Sequence, residues 1–482
     1  MASVKKNIIL NGINTATGIL YPVITFPYAA RVLSPDGIGT INFLNSIIGY
    51  IVLLTSLGIP MYAVKEIAKY QDNKIERDKI TLEIIILSTI LCLLGYVAVW
   101  LLAQFVPQIH QHESLFFILS LTIIFTAIGV NWFYQGIEDF KFITIRAIII
   151  RTLAAVALFV FVKEKSDLLI YGIIFVCSTV GNNFVNFIHL RKHLEFNLIK
   201  LRDICILRHI KPALQIFIFN LVTSLYVQLD LSMLGLMSTD EATGYFTAGT
   251  RITHIGLLVI SSLGTVLMPH CSHLLQIGDK ESFAYVIKKS LNLTLAISIP
   301  MMSGLMLLAT PVTIIFCGEG YIDSIPVLYL NAPVIVFIAL TNVMGIQILY
   351  PMDKIKIVIL SVSCGAVLNL ILNLFLIPDY REIGAAISTL VAEFAVLVIQ
   401  LIRGWKYYPF KISDLFNVRY IMASAIMSVA VFFDIQLSNS LILQLISGTL
   451  IGIIVYVYSL YCMKDSLTLE LTSLLRNKII KH

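Results

Sequence analysis

Charge is what this chain has least of. Only 13% of its 482 residues are Asp, Glu, Lys or Arg, whereas 58% are hydrophobic. A soluble domain carries about a quarter charged residues, so this complement cannot dress a water-facing surface of that size. Most of the surface must face lipid. Paired cysteines are lacking as well. Cys92, Cys177, Cys205, Cys271, Cys317, Cys364 and Cys462 stand singly, without a CxxC or any metal-ligand spacing, and read as small apolar packing residues. No Gly-rich phosphate loop, nucleotide fingerprint or HExxH occurs, so neither an enzyme, a metal nor a cofactor is expected. The net charge of +6 fits basic membrane loops better than a nucleic-acid partner.

Long apolar runs are what the sequence has in quantity. About twenty apolar residues let one helix cross a hydrocarbon core of ~30 Å. Such runs recur near residues 7–30, 38–64, 80–106, 115–137, 142–162, 168–190, 212–237, 244–270, 290–316, 326–350, 355–377, 383–402, 418–435 and 441–463. The first run follows Lys5 and Lys6 but is too long for a signal-peptide core and lacks an A-x-A site, so it counts as a span. The runs do not alternate polar and apolar residues, which excludes barrel strands. An all-α integral membrane protein of about fourteen transmembrane helices follows.

Lys and Arg divide unequally between the loops. One side holds 27, the other holds Arg31, Lys163, Lys165 and Arg381, and Arg146, Arg151 and Arg251 lie inside spans. The positive-inside rule then places both termini in the cytoplasm. An internal repeat is also present. Asn14, Thr17, Ser34, Asp36, Gly39, Ser56-Leu57-Gly58 and Asp72 recur in order as Asn220, Thr223, Ser238, Asp240, Gly244, Ser262-Leu263-Gly264 and Asp279, at offsets of 204 to 207. Six spans separate the copies, so the repeat is parallel, about an axis along the membrane normal. The expected organisation is an N-terminal six-helix lobe over 1–190, a basic linker over 191–211, a C-terminal six-helix lobe over 212–404, and helices 13–14 with a tail over 405–482.

Several motifs carry a family resemblance. They are Phe26-Pro27-Tyr28-Ala29-Ala30-Arg31-Val32-Leu33, Trp132-Phe133-Tyr134-Gln135-Gly136, Gly345-Ile346-Gln347-Ile348-Leu349-Tyr350-Pro351, Asn369-Leu370-Ile371-Leu372-Asn373, Ile377-Pro378 and Ile383-Gly384-Ala385-Ala386. In this order, across roughly 5–465, they resemble the polysaccharide transporter family, the Wzx-type flippases of the multidrug/oligosaccharidyl-lipid/polysaccharide exporter superfamily. Ser34-Pro35 departs from the Leu-Gly that is commoner at that turn. The resemblance implies a two-lobed, multidrug-exporter-like fold in a bacterial inner or plasma membrane. It also implies movement of an undecaprenyl-pyrophosphate-linked oligosaccharide between leaflets by alternating access. A polysaccharide polymerase and chain-length proteins are the partners it suggests. The rival readings are an ion-coupled drug or metabolite exporter of the same superfamily, and a membrane-embedded glycosyltransferase, polymerase or ligase. The exporter should carry an acidic cluster and the enzyme a large extramembrane loop, and the sequence has neither.

Polar residues inside the spans mark the candidate site, because an ionisable group at mid-membrane costs roughly 2.5–3.5 kcal/mol on insertion scales. Arg151 lies about 13–14 Å along its helix at 1.5 Å per residue, and Arg251 about 10 Å. With Arg31 and Arg146 they form a set of guanidinium forks suited to a pyrophosphate. Snorkelling is the alternative for Arg146, a positional anchor for Arg31, and an ion pair with Asp230 for Arg251. Asp230 and Glu393 are candidates for proton or sodium coupling. Glu83 reads as solvated near the inner interface. Asn11/Asn14, Asn42/Asn45, Asn182/Asn186 and Asn369/Asn373 pair at helical spacing, as interhelical glue or as a sugar-facing lumen, with Asn42 and Asn373 taken as substrate-binding. Pro22, Pro27, Pro300 and Pro311 are expected to break or kink their helices.

Overall fold

The computed structural model describes residues 4–194 and 204–470. The middle of the expected linker (195–203) and the basic tail from 471 onward lie outside the described residues. The chain is 89% helical, with no strand among the described residues.

The helices run in order α1 (Val4–Ser56), α2 (Ile59–Lys69), α3 (Lys74–Phe105), α4 (Pro107–His110), α5 (Glu113–Ala127), α6 (Asn131–Gly136), α7 (Phe140–Phe161) and α8 (Leu168–Leu190). They continue with α9 (Ile210–Met237), α10 (Asp240–Gln276), α11 (Lys280–Leu307), α12 (Ala309–Cys317), α13 (Ile325–Asn342), α14 (Ile355–Gly404), α15 (Val418–Leu437) and α16 (Leu441–Cys462). Among the described residues ten helical stretches are long and apolar enough to cross a membrane. Two of them, of 61 and 53 residues, have about twice the length that one crossing needs. Large apolar side chains such as Trp100, Phe105, Phe375, Phe433 and Ile454 stand exposed along these helices, as lipid-facing positions require. This is a multi-pass membrane protein.

Local chemistry explains several helix ends. Asn73, Asp139 and Asp279 cap α3, α7 and α11, each side chain accepting from the backbone N–H three residues on. Of the four prolines expected to break or kink their helices, Pro22, Pro27 and Pro300 lie within continuous helix. α1 runs through Pro22 and Pro27, and its non-helical residue is Ser34 (φ 60°, ψ 175°). Ser34 precedes Pro35, and proline disfavours helical backbone in the residue before it. Pro300 lies inside α11, whereas the stretch around Pro311 breaks one turn earlier, at Leu308. The expected span over 38–64 is interrupted at Leu57-Gly58, where both residues take positive φ. Gly58 (φ 71°) tolerates this because it lacks a Cβ, which would lie 2.6 Å from the Ala213 carbonyl oxygen. α14 carries two expected spans joined through Arg381 (φ 49°).

The chain forms two compact units that divide at Gly244/Tyr245, inside α10. α9, the first helix of the expected C-terminal lobe, therefore belongs to the first unit. In that unit Phe43, Leu44, Ile48, Val99, Phe116 and Ile123 form one core, and Ile84, Trp132, Phe133, Tyr134 and Leu190 another. In the second unit α11, α14, α15 and α16 share a core containing Phe283, Leu291, Met344, Leu397, Tyr420 and Tyr456. The Tyr456 hydroxyl donates to the Ala296 carbonyl at 2.8 Å, tying α16 to α11.

Candidate functional site

α7 brings two arginines into the first unit, five residues apart and so on different sides of the helix. Arg146 is only 6% exposed. Its Nε donates to Asn182 Oδ1 on α8 at 3.3 Å and its Nη2 to Asn131 Oδ1 on α6 at 3.2 Å. The guanidinium carbon sits 5.1 Å from the centre of the Phe142 ring, a cation–π arrangement. Snorkelling is thereby overturned, because the side chain turns into the bundle, where amide oxygens and an aromatic face replace water. Its Nη1 is buried without a hydrogen-bond partner. One turn beyond Asn182, the buried amide of Asn186 is also unpartnered at both atoms.

Arg151, half-buried, reaches α1 instead. Its Nη1 donates to the Asn14 carbonyl at 3.0 Å, to Asn14 Oδ1 at 3.2 Å and to Thr17 Oγ1 at 2.8 Å. Gly18 leaves room for this fork, since a Cβ there would stand 3.3 Å from Arg151 Nη2. Every hydrogen-bond acceptor of the two guanidinium groups is neutral. Among the described residues no carboxylate forms an ion pair with either. Uncompensated cations in an apolar setting are costly, and an anion would relieve that cost.

The other candidate residues do not join this constellation. The hydrogen bonds of Arg146 and Arg151 reach neither Arg31, which is exposed, nor Asn42, whose Nδ2 donates within its own helix to the Ile38 carbonyl at 2.8 Å. Asp230 is half-buried on α9. In the second unit Arg251 is half-buried on α10, and Glu393 is buried on α14. Asn373 is fully buried, and its Nδ2 donates to Asn369 Oδ1 at 3.1 Å.

Glu83 requires a correction. It is not solvated but fully buried. Its Oε1 accepts from the Cys205 N–H at 2.7 Å, and its Oε2 from Arg208 Nε at 2.8 Å. The same Oε2 lies 2.7 Å from His209 Nε2, while His209 Nδ1 lies 2.7 Å from the Tyr62 hydroxyl. Arg208 also reaches Glu76 at 3.1 Å. Burial pulls the His209 imidazole below its ordinary value, against the opposing pull of Glu83. The carboxylate thus fastens the C-terminal end of the linker to α3. Near the other end, Arg77 Nη2 donates to the His193 carbonyl at 3.3 Å. Distance from the interface misled the sequence reading, and the signal available was an acid at a span entrance matched by a basic linker.

The Trp132-Phe133-Tyr134 motif packs beside these groups. The Tyr134 hydroxyl donates to the Asn186 carbonyl at 2.9 Å, and Phe142 lies between Arg146 and the stacked His189 ring, 4.2 Å away. Residues 4–275 match the profile described as polysaccharide biosynthesis protein, which is more than half of the chain. The chain belongs to this family. Among curated relatives of this polysaccharide biosynthesis protein, a "Putative O-antigen transporter" of Escherichia coli (strain K12) is 26% identical over 421 residues, covering 84% of this chain and 98% of the relative. A probable low-salt glycan biosynthesis flippase of Haloferax volcanii is 23% identical over 236 residues, 48% of this chain and 49% of the relative. The fold matches that of the lipid II flippase MurJ in an inward closed conformation with a TM-score of 0.76 at 18% identity, over 95% of this chain and 99% of the other. An inward-facing multidrug transporter of the MATE family matches with a TM-score of 0.64 at 14% identity, over 83% and 97%. The chain therefore shares its fold with these two transporters.

Proposed function

We propose that the protein is a flippase that carries an undecaprenyl-pyrophosphate-linked oligosaccharide, such as an O-antigen or capsule repeat unit, from the cytoplasmic to the outer leaflet. The observation that carries the reading is the pair Arg146 and Arg151: two cations inside one membrane helix, with only neutral acceptors. Arg151 is the more accessible of the two and keeps Nη2 outside its hydrogen bonds to α1. A pyrophosphate supplies the missing negative charge and accepts paired hydrogen bonds from a planar fork. The prenyl chain stays in lipid. Family membership and relatives named as transporters and flippases support the same cargo class.

In this reading the protein works in the inner or plasma membrane with both termini cytoplasmic, moves its cargo by alternating access, and performs no bond chemistry. Arg31, Arg251, Asn42 and Asn373 contribute further contacts to the headgroup and sugar. Asp230 and Glu393 are the carboxylates proposed to couple movement to protons or sodium. A polymerase and chain-length proteins receive the product.

The test is movement of a fluorescent undecaprenyl-pyrophosphate-linked oligosaccharide in proteoliposomes, with and without ion gradients. Arg151→Ala and Arg151→Gln should abolish movement with normal insertion, and Arg151→Lys should restore part of it, since Lys keeps the charge but loses the fork. Full activity in Arg151→Gln would sink the arginine assignment. Failure of the intact protein to move any pyrophosphate-linked sugar would sink the cargo assignment.

A further inference from the structure

At the lysine-poor end of the first unit, three segments far apart in sequence meet at one carboxylate. Asp240, the first residue of α10, accepts a hydrogen bond from Thr40 Oγ1 on α1 at 2.9 Å. The same oxygen lies 3.0 Å from Nε2 of His112, which precedes α5. Gln108 on α4 adds a bond from its Nε2 to the Leu236 carbonyl at 3.0 Å. Beside the carboxylate two backbones touch directly. A Cβ on Gly39 would lie 1.7 Å from the Asp240 carbonyl oxygen, and a Cβ on Gly244 would lie 2.0 Å from the Pro35 carbonyl oxygen.

This contact is reciprocal. Gly39 stands four residues after Pro35, and Gly244 four after Asp240, and each glycine faces the backbone that opens the other's helix. Gly39 and Gly244 are also partners in the internal repeat. A self-complementary contact of this kind is what two copies of one motif make across a twofold axis. From it a stripe of α1 continues inward through Phe43, Ser46 and Tyr50, at helical spacing. The Tyr50 hydroxyl lies 3.1 Å from Ser232 Oγ on α9.

The two ends of α9 are held by different means. Near its start, Glu83 and His209 are buried and bonded on all sides. Near its finish, the His112 and Asp240 side chains are 30% and 29% exposed, so water competes for their bonds and each contributes little. Beneath them, at Gly39 and Gly244, backbone lies directly against backbone. One end is buried and fully bonded, and the other is partly open to water.

We propose that Asp240, with Thr40 and His112, is a latch that holds this end of the helices closed, and that the Gly39–Gly244 contact is the seat on which it closes. The latch releases each time the protein opens toward that side. The proposal rests on a transporter that opens alternately, so its test reads the opening as well as the transport.

One arm uses a Ser46→Cys reporter, buried two turns inward from Thr40, in a background with the exposed Cys177, Cys205, Cys364 and Cys462 replaced by serine. In vesicles, a membrane-impermeant maleimide applied from the lysine-poor side should label the reporter about tenfold faster once Asp240→Ala or His112→Ala is added. A second arm uses Thr40→Cys with Asp240→Cys. Oxidation should arrest movement of the lipid-linked oligosaccharide, and reductant should restore it, which excludes misfolding as the cause. Unchanged labelling in Asp240→Ala, or full movement by the cross-linked protein, overturns the latch. A reduced double variant and a parent protein that both move no sugar would instead refute the cargo, and the labelling arm alone would then decide the latch.

Discussion

Replacing Glu83 by alanine should release the linker from α3. The carboxylate is fully buried and is met by the Cys205 N–H, by Arg208 at two nitrogens and by His209, all within 2.6–2.8 Å. Its removal strands the buried His209 ring nitrogen, and an orphaned buried group costs about 1–3 kcal/mol, whereas the N–H of the exposed Cys205 can turn to water. Arg208 is 37% exposed and keeps Glu76, so its share falls near the low end for surface pairs. The total comes to about 1–4 kcal/mol, most of it from the stranded His209. Glu83→Gln keeps the size and one acceptor, and should cost about 1–2 kcal/mol, since bonds to charged groups exceed neutral ones by roughly 1 kcal/mol each. At 1.36 kcal/mol per decade, Glu83→Ala releases the Cys205–His209 segment about tenfold more often. The linker over 191–211 carries six Lys and Arg, so limited trypsin digestion in lipid vesicles reads the opening directly. Cleavage at the wild-type rate in Glu83→Ala would refute the anchoring role, as would equal effects of Ala and Gln.

The His209 site yields a pH prediction of definite sign. Burial lowers its pKa in the fold, so the unfolded chain binds the proton more tightly and stability falls as pH drops below the ordinary histidine value of about 6.5. His193 is shifted the same way, again by burial. The difference between wild type and His209→Gln, followed by thermal unfolding from pH 7.5 to 5.5, isolates the His209 share, and parallel curves would refute it. Arg146→Leu should remove an uncompensated charge but leave Asn131 and Asn182 without their donor, a net loss of about 1–3 kcal/mol measurable as a lower midpoint with thiol dyes on the buried Cys92, Cys271 and Cys317. A raised midpoint would mean that the guanidinium is a liability retained for function alone. Gly58→Ala combines a positive φ with a Cβ 2.6 Å from the Ala213 carbonyl oxygen, and should destabilise by about 1–3 kcal/mol. An unchanged midpoint would show that the α1–α2 break adapts freely.

What the sequence by itself determined was everything that depends on short range and composition. Apolar run length demanded membrane helices, because a hydrocarbon solvent leaves the backbone no partner but itself. Ser34-Pro35 located the break in α1, because proline restricts the residue before it. The i, i+4 rule put Asn369 and Asn373 on one face, where they are hydrogen-bonded. Residue type also marked Arg31, Arg146, Arg151 and Arg251 as the cations that need explanation, Arg151 and Arg251 foremost. Which way each arginine turned was a tertiary decision. Arg146 enters a nest of Asn131, Asn182 and Phe142, contributed by three segments, and no local pattern announces partners 15 and 36 residues away. Glu83 shows the limit most clearly. Its depth along the helix argued for water, but the returning segment Cys205–His209 covers it, and only contacts 122 to 126 residues apart decide burial there. The Gly39–Gly244 seat lies between these cases. Both glycines stood out in the sequence at matching places in its two halves, and the packing of α1 against the start of α10 made them face each other, because only residues without a Cβ allow two backbones to approach so closely.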